Sequence, residues 1–161
     1  MMKQPEWDER RSVRENARRE LSPLMASYLD YVRSQLAKDL PPPKLHPLRL
    51  ATKRLRYTLE LFRPIYGKRL AERLDALRQV QQQLGDTNDC VAAWDLLSQV
   101  MRPSSERTRM EKFLQRRAQR QAADFRALWQ ELFESPGREK WFMDFLSRPS
   151  PNAHTLVRRQ K

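Results

Sequence analysis

Apolar residues along this chain recur every three or four positions, the spacing of one face of a helix, and almost nowhere alternate in the two-residue rhythm of a strand. Leu21, Leu24, Met25, Tyr28, Tyr31, Val32 and Leu36 give an apolar side to a first helix, read from about Asp8 to Ala37. Pro23 is expected to kink or split it, because proline lacks the donor and crowds the preceding turn. Pro41-Pro42-Pro43 then acts as a hard stop and a stiff connector. A second helix starts near Lys44 or Leu45, with Pro47 in its first turn and Pro64 and Gly67 closing it. Leu70, Leu74, Leu77 and Leu84 mark a third, from about Lys68 to Leu84, which Gly85 is expected to end. Asp86 or Thr87 would cap a fourth, whose apolar side is Cys90, Val91, Trp94, Leu97 and Met101. Ser104 or Ser105 opens a long fifth helix that ends near Phe133, and a short last one spans about Arg138 to Leu146 after the turn Ser135-Pro136-Gly137. Short connections place successive helices side by side, so the fold class is all-α, an antiparallel helical bundle over residues 8–147. Residues 148–161 are proline-rich and then basic, and read as a flexible C-terminal tail.

Charge narrows the range of partners. Lys and Arg number 32 against 20 Asp and Glu, a formal +12 on one domain of 161 residues. Such an excess repels itself and focuses anions, so the partner is expected to be nucleic acid, polyphosphate or an anionic surface. No stretch approaches the ~20 apolar residues of a membrane span, and the N-terminus MMKQPEWDERRSVREN lacks the apolar run of a signal peptide. A cytoplasmic protein without membrane insertion is expected. Cys90 is the single cysteine, which excludes an internal disulfide and a cysteine zinc site. His46 and His154 have no metal-ligand spacing around them, so neither a metal nor another cofactor is expected.

The second helix carries the strongest local signal. With His46 at zero on a helical wheel, Arg49, Lys53, Arg56, Glu60 and Arg63 fall at roughly 260–340°, one stripe down one side. Leu48, Leu55, Leu59 and Phe62 border it on one flank, and Leu50, Tyr57 and Leu61 on the other. An ordinary solvated face would have more polar borders, so this helix is expected to line a groove between neighbours. Like charges one turn apart oppose each other, and apolar borders raise the cost. Glu60, with Asp86 and Asp89, is expected to offset part of it, and an external polyanion the rest. Arg14 and Arg18 on the first helix, Arg73 and Arg78 on the third, and Arg109, Arg116, Arg117 and Arg120 on the fifth are further candidates for a positive channel.

The stretch LHPLRLATKRLRYTLELF followed by ALRQVQQQLGDTNDCVAAWDLL resembles the CHAD family, the conserved-histidine α-helical domain. The resemblance rests on His46-x-x-Arg49, Lys53-Arg54-x-Arg56-Tyr57, Leu59-Glu60-Leu61-Phe62, Leu84-Gly85-Asp86 and Asn88-Asp89, and is read over about residues 10–145. It implies a helical domain that binds inorganic polyphosphate, with His46 the eponymous histidine and Arg49, Lys53, Arg54 and Arg56 the motif cations. Arg54 falls away from the stripe on the wheel and is kept out of the site. The motif occurs once here, and LHPLRL…KRLRY does not recur after residue 100. The resemblance therefore implies a single, second repeat of the usual two-repeat domain. A closed homodimer is expected to rebuild the pair.

The function expected is non-catalytic binding of inorganic polyphosphate through a basic groove, with granule association or phosphate-storage regulation as the role the resemblance implies. The expected ligand-binding residues are His46, Arg49, Lys53, Arg56, Arg14, Arg18, Arg73, Arg116, Arg117 and Arg120. Nucleic-acid binding is the main rival, weakened by the lack of a recognisable helix-turn-helix or finger. A structural helical interaction protein is the other. An enzyme is not expected, since no nucleophile–base pair or metal set is in sight.

Overall fold

The computed structural model describes residues 5–149. Six helices follow one another: α1 (Val13–Leu36), α2 (His46–Leu61), α3 (Arg63–Tyr66), α4 (Leu70–Val100), α5 (Ser105–Trp129) and α6 (Arg138–Leu146). Short 3-10 turns at Pro42–Lys44 and Gly67–Arg69 precede α2 and α4, and a π turn at Gln130–Glu134 extends α5. The basic tail expected from residue 148 lies, from residue 150 onward, outside the described residues, as does His154.

Helix α1 begins at Val13, five residues after the expected start at Asp8. Ser12 accepts from the Glu15 amide while the Glu15 carboxylate accepts from the Ser12 amide, a capping box that fixes the first turn. The helix then runs through Pro23 without a break. Pro23 is exposed, and so is Arg19, whose carbonyl loses its partner to the missing N–H and can turn to water.

The larger difference concerns Gly85. The third and fourth expected helices are a single helix, α4, whose 31 residues span about 46 Å at 1.5 Å per residue. Gly85 lies inside it and does not end it. By contrast Gly67 does end α3, at a φ of 67° that suits glycine. α4 and α5 form an antiparallel hairpin, α2 packs along α4, and α1 packs on α2 and α6.

The core joins the inner sides of α1, α2 and α4 to the second half of α5 and to α6, with Tyr28, Phe125, Trp129, Phe133 and Phe142 among its largest members. Polar ties also join the helices. Thr52 spends its hydroxyl hydrogen on the Leu48 carbonyl at 2.8 Å, so Tyr28 donates to Thr52 at 2.8 Å and ties α1 to α2. Arg33 grips Glu134 with two bonds of 2.9 and 3.0 Å and reaches Glu139 at 2.7 Å, tying α1 to the π turn and α6. Trp129 donates to the same Glu134 at 2.8 Å.

Beyond the level of Cys90 and Ala118 the α4–α5 hairpin leaves the main core. There Leu96, Val100, Met110 and Phe113 are exposed. None of the described helices is long and apolar enough to cross a membrane.

Candidate functional site

A polar pocket of about 360 Å³ opens where α2 lies against α4, lined by Arg49 and Arg56 from α2 and by Arg78, Gln81, Gln82, Gly85 and Asp89 from α4. Its geometry follows from a buried seam. Leu48, Leu55 and Leu59 anchor one side of α2 in the core, which swings the adjacent basic stripe to the border with α4.

The cations of the stripe divide into two kinds. Arg56 is braced: it donates to Glu60 at 2.6 Å and to Gln81 at 2.9 Å, and stacks over Tyr57 at 4.3 Å. Glu60 also accepts from Arg78 at 3.1 Å, and Arg78 reaches Asp75 at 2.5 Å. Arg49 and Lys53 make no ion pair among the described residues. Lys53 is half-buried, with its ammonium 5.6 Å from the Tyr57 ring centre. The Nε of Arg49 is buried and has no hydrogen-bond partner among the described residues, and an unpaired buried donor costs free energy.

Gly85 faces Arg49 across the pocket. A Cβ at position 85 would stand 3.7 Å from Arg49 Nε, ordinary contact distance, so an alanine fits, while a longer side chain would run into the pocket. At the first turn of α2, His46 Nδ1 meets Asn88 Oδ1 at 2.8 Å. With the amide oxygen as acceptor, Nδ1 carries the hydrogen and Nε2 is left for a ligand.

Two expectations change. Asp86 and Asp89 form no ion pair with α2 among the described residues. Asp86 accepts from Gln82 at 2.8 Å and Asp89 lines the pocket, so Glu60 is the carboxylate that holds the cationic helix. The stripe also has one buried border rather than two: Leu50, Tyr57 and Leu61 on the other flank are exposed.

The remaining candidates lie elsewhere. Arg14 donates to the Pro149 carbonyl at 3.0 Å, and Arg18 is exposed on α1. Arg116, Arg117 and Arg120 are exposed on α5, turned from its buried line Ala118, Ala122, Phe125 and Trp129 by roughly 100° or more. Arg73 is buried against α6 in a second pocket that shares no residue with the first. Thus Arg49 and Arg56 meet in one pocket, with His46 and Lys53 on the same helix. Arg78, Gln82, Gly85 and Asp89 follow one another at intervals of four, three and four; Gln82 and Gly85 are absent from the expected set. That spacing is one helix face, hidden by reading Gly85 as a helix end.

Among the described residues no group of three or more His, Cys, Asp and Glu side chains is placed to hold a metal ion. Compared with known families, residues 1–98 match the CHAD domain. The match takes in α1 to α3 and nearly all of α4, and stops short of α5 and α6. No curated protein and no solved structure matches the chain. CHAD domains are known as a non-catalytic family. The match covers well over half of the sequence and includes the His46–Arg56 stripe, the Gly85 approach and Asn88, so the chain belongs to the CHAD family.

Proposed function

We propose that the chain binds inorganic polyphosphate without turning it over, through the α2–α4 pocket and the stripe beside it. The observation that supports this most is the pair Arg49 and Lys53, one turn apart and without carboxylate partners among the described residues, with a buried guanidinium donor left unused. Such a pair suits an anion that brings several charges in a row. Arginine grips phosphate oxygens as a fork, lysine as a point charge. His46 adds a donor at the end of the row when protonated. Arg56 and Arg78 are already neutralised in part by Glu60, and we assign them to shaping the pocket.

The complete site is read as belonging to two chains, with the exposed flank Leu50, Tyr57 and Leu61 turned toward the second copy. A cytoplasmic protein attached to polyphosphate granules is the role that fits this reading. Nucleic acid is the second reading, since the charge alone would serve either polymer.

The deciding measurement is equilibrium binding of polyphosphate at fixed salt to the wild type and to Arg49→Gln/Lys53→Gln. The variant should lose roughly tenfold or more in affinity, about 1.4 kcal/mol, and show a shallower salt dependence, with its helical circular dichroism unchanged. Equal affinity would reject the site. Duplex DNA that outcompetes polyphosphate at matched charge would favour the second reading.

A further inference from the structure

The second pocket, about 460 Å³, lies between the start of α4 and α6 and is walled by Tyr66, Trp141 and Phe145. Arg73, only 3% exposed, is the unusual residue in it. Its guanidinium lies 3.7 Å from the Trp141 ring centre and 3.8 Å from that of Phe145. Two of its N–H groups donate to main-chain carbonyls, of Arg69 and Trp141, each at 3.1 Å. Its Nε has no partner, and no carboxylate pairs with it among the described residues. Burial is the main cause that pushes its pKa down to about 10; Arg69 and Arg138 act the same way against the pull of Glu72.

A buried cation served only by carbonyls and ring faces does suffice to pin α6 onto α4. It does not account for the rest of the lining. Arg69 and Arg148 bring two more guanidiniums to the same pocket, and Asp144 is its single carboxylate. Three cations against one anion leave an excess of two charges. A carboxylate ligand would cancel half of that. A phosphate group, at about −1.5 to −2 near neutral pH, cancels nearly all of it. The volume falls within the range of small-molecule sites, roughly 300–1,000 Å³, and the aromatic walls can take an apolar or planar remainder of a ligand.

We propose that the pocket between Arg69, Arg73 and Arg148 is a binding site for a dianionic phosphate group, separate from the α2–α4 pocket. The phosphate can belong to a small organic phosphate ester or to the end of an inorganic chain. Arg69 and Arg148 are exposed and meet it first, and Arg73 supplies fixed charge behind them.

The test follows the indole N–H resonance of Trp141, assigned through Trp141→Phe, in full-length protein titrated separately with AMP, inorganic pyrophosphate and short polyphosphate. Wild type and Arg49→Gln/Lys53→Gln should show the same saturable shift, which keeps this site distinct from the α2 stripe. Arg69→Gln/Arg148→Gln leaves buried Arg73 in place and should weaken the shift at least tenfold. A response to AMP alone identifies an organic ester, and a response to the inorganic probes alone identifies a chain end; either supports the site. Absence of a saturable shift with all three probes, or an unchanged one in Arg69→Gln/Arg148→Gln, overturns it.

Discussion

A glycine inside a long helix costs about 1 kcal/mol relative to alanine, and Gly85 sits midway along α4 with no compensating turn. Across the interface Arg49 Nε lies 3.7 Å from the position a Cβ would take, an ordinary contact that tolerates alanine. Gly85→Ala is therefore expected to raise stability by about 0.5–1 kcal/mol in urea denaturation, with polyphosphate affinity close to wild type. Gly85→Leu should instead fill the pocket and cut affinity several-fold while the helix persists. If both variants bind alike, Arg49 does not use this space. The stripe on α2 was legible from residue types and a 100° rotation alone. What the wheel could not show was which cations were already paired, because Arg56 is held by Gln81, 25 positions away, and shares Glu60 with Arg78, which lies 18 positions beyond that carboxylate.

At the scale of elements, the helical pattern was legible wherever apolar periodicity was strong, and the misreadings came from punctuation. Pro23 and Gly85 were given the weight of helix breakers. Both are tolerated because a local cost near 1 to 3 kcal/mol is small beside the core that α1 and α4 bury on either side. The sequence Ser-Val-Arg-Glu at residues 12–15 carried the true start of α1 as a capping box. The Arg33–Glu134 tie had no sequence signal, since 101 positions separate its ends. Hydrogen bonds from Arg33 hold the Glu134 carboxyl below its ordinary 4.5. A depressed folded pKa contributes stability that is present above that ordinary value and is lost as pH falls through the folded one. Glu134→Gln should thus be less stable than wild type at pH 7, by about 1–2 kcal/mol, and the gap should close under acid. Thermal unfolding followed across that range checks it; a gap that stays constant with pH would mean that the pair contributes packing alone.

Across the whole molecule, a charge of +12 and a patchwork of exposed apolar residues pull in opposite directions. Leu50, Tyr57 and Leu61 on α2, with Leu96, Val100, Met110 and Phe113 on the α4–α5 hairpin, invite a second copy, while the charge resists it. Under the function proposed above, bound polyphosphate would remove that resistance. Sedimentation should then give twice the 19.3 kDa of one chain in the presence of polyphosphate, and Leu61→Glu/Phe113→Glu should return the mass to that of one. A single chain under every condition would remove the dimer from the reading. The buried, unsatisfied donor of Arg49 has one more consequence, for protein turnover. A ligand that stills the guanidinium lowers the population of open states by mass action, and proteases act on those states. The lifetime of the protein would then track the supply of its polyanion, with empty copies cleared first.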